Sequence, residues 1–389
     1  MESKLRLEPD QQAVLAGSSG PALKLALQTL VRYGEAFGAR RLVPIKSAHL
    51  AGTFGALTYK AYYLILERLT AEGLKVKVPT TCNPMPGHDL NFLNRRLVFR
   101  RQEELMGRLA ALGVTPNYSC VCYDSANVPQ PGDALAWAES SAVQFANSVL
   151  GARTNRNSIL IDICSAITGL TPEFGLLLDE NRRARLLVKL DLRKMDAPAL
   201  GFLLGRKAVN QAPVLEHYPF SRIELKNMGG AMAAAGAVAL FHVEGLTPEA
   251  PDIRTACQGE PERTITIGQR DLDELRAKNA RPDLVVFGCP QMTFEEAAAL
   301  AERFAGKRAR VPAWFCLIPE ARERFITSEH YARAAAAGVA VNSLCPLAAL
   351  TVQLRRKQVL TPSGKLYYYL AGASYGNQDD CLSACGVGE

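Results

Sequence analysis

The chain has 389 residues, 48% hydrophobic and 21% charged, which excludes a disordered polypeptide and leaves ample material for a core of two or three domains. Its formal charge of +7 comes from short clusters, among them Arg100 and Arg101, Arg182 and Arg183, and Arg355 to Lys357. They are interleaved with acidic residues, a pattern that reads first as solvated surface and speaks against nucleic-acid binding, with an acidic small-molecule substrate as the other reading.

No run of about 18 apolar residues offers a membrane span, and the N-terminal stretch lacks the apolar segment of a secretion signal. A cytoplasmic location is expected, where ten cysteines are thiols or metal ligands rather than a disulfide framework.

Helical periodicity covers Gly20 to Phe37, and RLVPIKSAH from Arg41 reads as a short strand running into a polar loop. A helix is predicted over Tyr59 to Glu72. LKVKVPTT follows as a strand ending at Cys82 and Asn83, then the turn-rich PMPGHD. Gln102 to Leu112 reads as a helix, NYSCVCY as a strand, and Asn157 to Thr168 as a mostly apolar helix. New strands are predicted at LLVKLDL near Leu186 and at AVALFHVEG from Ala237, followed by a loop-rich connection over Thr247 to Thr264. LVVFG leads to Cys289, and Thr293 with Glu296 forms a capping box for FEEAAALAERFAG. An alanine-rich helix from Glu329 to Ala337 precedes the strand VAVNS, which ends near Cys345. Alternation of this kind predicts an α/β fold with largely parallel sheets. We divide the chain into an N-terminal part (1–190), a C-terminal part (191–375) carrying Cys289 and Cys345, and a polar tail (376–389).

WAESSAVQFANSVLGARTNR, from Trp137 to Arg156, is the most informative stretch. Leu135, Ala138, Ala142, Phe145, Val149 and Leu150 recur at helical spacing, with Glu139 the only charge between Ala134 and Ala152. Such a helix is buried, so Ser140, Ser141, Gln144, Asn147 and Ser148 need internal partners. They either line a site or bond neighbouring core elements. Glu139 is a candidate to orient substrate or act as an acid, with burial raising its pKa. Ser140 and Asn147 extend one polar face, and Ser141 is placed with the binding residues. Gly151 can end the helix and deliver Arg153 and Arg156 beyond it. Lys46, Arg153, Arg156 and Lys365 are candidates for holding substrate anions, with structural ion pairs as the alternative. His49 is either a substrate or proton contact or a histidine satisfied by its surroundings. The other four histidines, His88, His217, His242 and His330, show no clustered spacing.

Three cysteines fall at strand ends, where sites collect in open α/β sheets. Cys120 lies on or beyond NYSCVCY, and Cys289 and Cys345 each follow a strand and precede a proline. Three thiolates on a four-iron cube would leave one iron open as a Lewis acid. Buried thiols packed as small hydrophobes are the competing reading, which suits Cys164 and Cys316. Cys122 shares a predicted strand face with Cys120 and is the substitute ligand; Cys381 and Cys385 are read either as zinc ligands or as residues without a role.

PIKSAHLAG from Pro44, PTTCNP from Pro79, Cys120 followed by NVP, AWAESSAVQFANSVLGARTNR, and the later GCP and SLCP elements together resemble the large subunit of aconitase X. The resemblance runs from Leu7 to Ala371. It implies aconitase-like α/β/α domains and a hydro-lyase that removes water from a hydroxylated carboxylate with the help of an iron–sulfur cluster. Characterised branches act on cis-3-hydroxy-L-proline or 5-phosphomevalonate, and the Thr53, Phe54 loop favours the first. The resemblance implies Cys120, Cys289 and Cys345 as ligands, 4Fe-4S rather than 2Fe-2S. It also implies a pocket lined by Gly52, Thr53, Phe54, Asn83, Pro84, Glu139 and Ser140, a binding lysine in Lys365, and contacts from Arg153 and Thr154. Gln291 stands where many relatives carry His after Cys-Pro, and Tyr367 to Tyr369 stand where small residues usually follow the lysine. The family's base is a serine on a small swivelling domain, a separate subunit in two-chain members. Too few residues follow Lys365 for that domain, so a heterodimer is expected. A non-catalytic RNA- or protein-binding module without a cluster is the alternative.

Overall fold

The computed structural model describes residues 5–51, 60–84, 100–124, 126–278, 280–351 and 357–387. Gly52, Thr53, Phe54 and His88 lie outside them.

The N-terminal layer begins with helix α1 (Pro21–Ala36), whose Ala22, Leu23, Ala26, Leu27, Leu30 and Val31 form the buried stripe that periodicity predicts. Its first turn is held from outside the helix, since the Ala22 N–H donates to both Glu72 oxygens at 2.9 Å. Strand β1 (Leu42–Pro44) is followed by β2 (Ser47–Leu50), β3 (Thr80–Cys82), β4 (Leu135–Trp137) and β5 (Leu170–Pro172). β1 pairs antiparallel with β5, whereas β3, β2 and β4 form a parallel sheet in that order. Every residue of β2, β3 and β4 is buried, as parallel strands covered on both faces require. Their carboxyl ends deliver Cys82, Asn83 and Glu139 to one edge.

Helix α2 (Ser140–Ser148) leaves β4 directly, and α3 (Ile159–Thr168) packs against α1. A second parallel sheet has the order β8, β7, β6, β9, built from β6 (Leu186–Asp191), β7 (Pro213–Leu215), β8 (His242–Val243) and β9 (Arg263–Gly268). The third, also parallel, has the order β12, β11, β10, β13, β14. Its strands are β10 (Leu284–Met292), β11 (Ala313–Leu317), β12 (Val339–Asn342), β13 (Val359–Thr361) and β14 (Ser374–Tyr375). One apolar core joins α2 to both sheets, from Trp137 through Val188 and Phe287 to Val387. No helix among the described residues is long and apolar enough to cross a membrane.

The spine is α5 (Arg222–Gly236), which packs on α4 (Ala197–Ala208), on α2, and on a short later helix that carries Lys365. Glycines set its closest approach. A Cβ on Gly201 would strike the Met228 carbonyl, and one on Gly236 would strike the Gly205 carbonyl. The obstruction is backbone and cannot rotate away. Gly201→Ala is therefore expected to destabilise the fold by about 1–3 kcal/mol in urea titrations, through overpacking rather than lost contacts.

Several predicted elements change. NYSCVCY is not a strand. Its backbone bonds go elsewhere, with the Cys82 N–H on Asn117 Oδ1 (3.0 Å), the Ser119 N–H on the Cys82 carbonyl (3.1 Å) and the Val121 N–H on Ser119 Oγ (3.0 Å). Tyr118 turns the chain at φ +43°, and Cys122–Asp124 form a 3₁₀ turn. The shared strand face proposed for Cys120 and Cys122 therefore does not exist. LKVKVPTT is a strand only from Thr80, and AVALFHVEG only at His242–Val243, because Ala237 (φ +54°) closes α5. The apolar run at Leu135 belongs to β4, and α2 starts at Ser140 with Glu139 as its N-cap. The polar tail contains the helix Gln378–Ala384, which buries Cys381 and Cys385 completely.

Candidate active site

Where β2 and β3 end, a chain of hydrogen bonds runs through buried side chains. Asn127 Nδ2 donates to Thr81 Oγ1 (3.1 Å), which lies 2.8 Å from His49 Nδ1. His49 Nε2 is 2.9 Å from Asn83 Oδ1, and Asn83 Nδ2 donates to Glu139 Oε2 at 2.6 Å. The direction is set by the amide: Asn83 spends its N–H on the carboxylate, so its oxygen faces the ring and Nε2 carries the proton. His49 Nδ1 then accepts from Thr81.

His49 is wholly buried, and burial pushes its pKa down from 6.5 to about 4 against the opposing pull of Asn83 and Glu139. The imidazole is accordingly expected to stay neutral between about pH 5 and pH 8, with ring NMR resonances that do not titrate there. The unfolded chain protonates this ring near 6.5 and the folded one near 4. Stability is therefore lost as pH falls through that window, by about 3 kcal/mol in full.

Glu139 is the hub. Besides Asn83 it accepts Ser140 Oγ (3.3 Å), Ser141 Oγ (3.1 Å), the Ser141 N–H (3.3 Å) and the ammonium of Lys365. Lys365 sits on α6 (Gly364–Tyr369), capped by Ser363, whose hydroxyl also donates to the Cys289 carbonyl. Burial alone would raise the Glu139 pKa, as the sequence predicts. The Lys365 charge, with bonds from Lys365, Asn83 and Ser141, reverses that and holds the carboxyl well below its usual range. Burial, the largest single effect, likewise works against the Lys365 charge, but Glu139 together with Cys289 and Cys120 outweighs it, and the ammonium is reinforced. Glu139 is thus held ionised near neutral pH, where it serves as an acceptor with no proton of its own to donate.

Three thiols feel the charge of the same ammonium. Lys365 lowers the pKa of Cys120, Cys289 and Cys345, while burial, the larger effect on each, raises it. Cys120 reaches about 11, with Cys345 among the groups raising it, and Cys289 is raised by both of the others. Cys120 Sγ accepts the Gln291 N–H at 3.4 Å, and Cys345 Sγ accepts the Ala348 N–H at 3.5 Å. Cys289 and Cys345 are half-buried, and Cys289 precedes a cis proline. Cys122, fully buried, lies against Thr81. Among the described residues no three or more His, Cys, Asp and Glu side chains are gathered to hold a metal ion. The three sulfur donors come from separate segments and share the electrostatic influence of Lys365, and thiolates are donors that suit soft metals and iron–sulfur clusters.

Other predicted site residues divide clearly. Pro84 is buried beside Asn83 at the end of β3. Arg153 is 2.5 Å from Asp179 and also donates to the Leu177 carbonyl at 3.1 Å, and Thr154 bonds the Trp137 N–H and the Asn155 carbonyl. Both are tied to the scaffold by these bonds. Arg156 donates to the Ala233 carbonyl (3.2 Å) and to Tyr369 Oη (3.3 Å), and Lys46 is exposed. Asn147 does not extend the polar lining: it bonds the Thr154 and Ala239 carbonyls, the Thr154 N–H and Arg182. Gln144 donates to the Val238 carbonyl and Ser148 accepts the Phe241 N–H. The first turn of α2 therefore serves the site and the rest serves the core. Sequence reasoning assigned no role to Thr81 or Asn127, although they lie inside the PTTCNP and NVP stretches it had singled out.

Fold and site define an aconitase-like α/β protein. A crystal structure of aconitase X from Thermococcus kodakaraensis, in its holo-form, matches with a TM-score of 0.87 at 32% identity, covering 98% of this chain and 99% of that one. The family models for the aconitase X first, second and third domains match residues 4–180, 184–277 and 282–386, and the chain belongs to the aconitase X family. That match continues past Ala371 into the tail. The phosphomevalonate dehydratase large subunit of Methanosarcina mazei is 34% identical over 97% of this chain and 96% of its own length. The protein of that name from Thermococcus kodakarensis is 37% identical over 79% of each. Cis-3-hydroxy-L-proline dehydratase of Pseudomonas aeruginosa is 34% identical over 94% of this chain and 67% of its own length.

Proposed function

We propose that this chain is the large subunit of a dehydratase that removes water from a small hydroxylated carboxylate. The observation that carries the reading is the buried ammonium of Lys365, which bonds Glu139 and Ser141 and also acts on the three thiols. Cys120, Cys289 and Cys345 would hold an iron–sulfur cluster, 4Fe-4S in preference to 2Fe-2S. Such a cluster supplies a Lewis acid for the departing hydroxide, worth several kcal/mol.

The chain's own residues bind and orient. An ammonium has three N–H donors, and Glu139 and Ser141 occupy two of those of Lys365. The third is left for the substrate carboxylate. Asn83 and the Ser140 and Ser141 hydroxyls keep Glu139 ionised and immobile, so that the ammonium is fixed before substrate arrives. Neutral His49 braces Asn83 without carrying charge into the pocket. The proton next to the carboxylate is assigned to a serine on a separate small swivelling subunit, a reading supported by the name "large subunit" that several relatives bear.

The test is anaerobic purification of this chain with and without its small subunit, followed by iron and sulfide analysis. Dehydration of phosphomevalonate and of cis-3-hydroxy-L-proline is then assayed. Brown protein with about three or more irons per chain, active on one of the two only as the heterodimer, is expected. Colourless, iron-free protein that stays inactive with the small subunit overturns the reading and favours a binding module.

A further inference from the structure

Gln291 is 1% exposed and lies two residues after Cys289. It touches all three thiol-bearing segments. Its side-chain oxygen accepts the Cys120 backbone N–H at 3.3 Å, with Cys120 Sγ 4.0 Å from the same oxygen. Its side-chain nitrogen donates to the Ser343 carbonyl at 2.9 Å, two residues before Cys345. Its own N–H donates to Cys120 Sγ, and its carbonyl accepts from Lys226 Nζ at 3.0 Å. Lys226 is buried and paired with Glu296, which also closes the capping box of the helix Phe294–Phe304.

We infer that Gln291 is the positioning residue that sets the spacing of the Cys120, Cys289 and Cys345 segments, an inference that rests on the cluster reading above. Those segments are 169 and 56 residues apart in sequence (289 − 120 and 345 − 289), so no local turn can fix their separation. A carboxamide suits the task because it presents one acceptor and one donor from a single rigid plane. Glutamate has the same shape but only acceptors when ionised, and would set an oxygen against the Ser343 carbonyl. Alanine offers neither group. Histidine offers one ring nitrogen as donor and one as acceptor. Partners of this kind around a metal site commonly govern affinity by about 10–100-fold.

The experiment compares wild type, Gln291→Glu, Gln291→Ala and Gln291→His as full chains. Iron and sulfide per chain and the visible spectrum are measured after anaerobic reconstitution, and amide exchange is followed in the apo proteins. The Glu and Ala variants are expected to retain less than half the wild-type iron with an altered spectrum. Amides of 119–121 and 343–345 should exchange together about tenfold faster in their apo forms, and the His variant should restore both readouts. If Glu and Ala variants load iron normally and exchange like wild type, Gln291 has no positioning role. Wild-type chain that takes up no iron overturns the cluster reading, and this inference with it. Faster exchange confined to one segment overturns the bridging claim alone.

Discussion

Lys365→Met is expected to destabilise the protein by about 3–5 kcal/mol at neutral pH, because it strands the Glu139 carboxylate in the interior without its counter-charge. Glu139→Gln should cost a comparable amount by stranding the ammonium. The double variant, with neither charge, should recover most of the loss, since a buried ion pair contributes less than either broken half removes. Urea titrations of the four proteins give the coupling directly. Additive losses would show that the two groups do not act as a pair. On the proposed reading Lys365→Met also costs about 10²-fold in kcat/KM, the equivalent of one hydrogen bond to a charged substrate group.

Acid gives the same pair a second signature. In the wild type the Glu139 pKa lies below its ordinary 4.5, so the unfolded chain binds the proton first and stability is lost as pH falls below about 4.5. In Lys365→Met the main lowering influence is gone and burial, the largest single effect on this carboxyl, dominates. The folded state then takes up the proton first, and the Glu139 contribution to stability grows on mild acidification. The difference in unfolding free energy between the two proteins should therefore shrink from pH 7 to about pH 5. A constant difference across that range would mean that the carboxylate was never held by Lys365.

That pair also marks the boundary of what could be read from residues. Strands whose burial is two-sided announce themselves as apolar runs, so parallel sheets were legible, and so was the Thr293 and Glu296 capping box, because its partners are three residues apart. Glu139 and Lys365 are 226 residues apart. From sequence only the burial of Glu139 was visible, and burial alone gives the wrong sign for its pKa. NYSCVCY has strand composition, but Asn117 and Ser119 divert its backbone bonds, and composition does not say where a side-chain oxygen will point. The polar residues of α2 were correctly read as needing internal partners. Their division into a site-facing first turn and a core-bonded remainder depends on carbonyls at Val238 and Ala239, which belong to another sheet's approach.

Replacing each thiol around Lys365 separates ligands from core cysteines. On the proposed cluster reading, Cys120→Ser, Cys289→Ser and Cys345→Ser are each expected to lose most of the iron and the visible absorbance, because a serine hydroxyl is a poor substitute for a soft thiolate. On the proposed reading, loss of a Lewis acid worth about 4 kcal/mol would lower kcat by about 10³-fold. The apo forms of the Cys289 and Cys345 variants should melt close to wild type, since those side chains are half-buried. Cys316 is the informative control. It lies on β11, fully buried, and feels all three of the other thiols. Cys316→Ser puts a hydroxyl into the core, so the expected result is the reverse: about 1–3 kcal/mol of lost stability with iron content preserved. Nearness to the other sulfurs is common to all four residues, so a loss of iron in Cys316→Ser as complete as in Cys289→Ser would show that general disruption, and not ligation, accounts for the three.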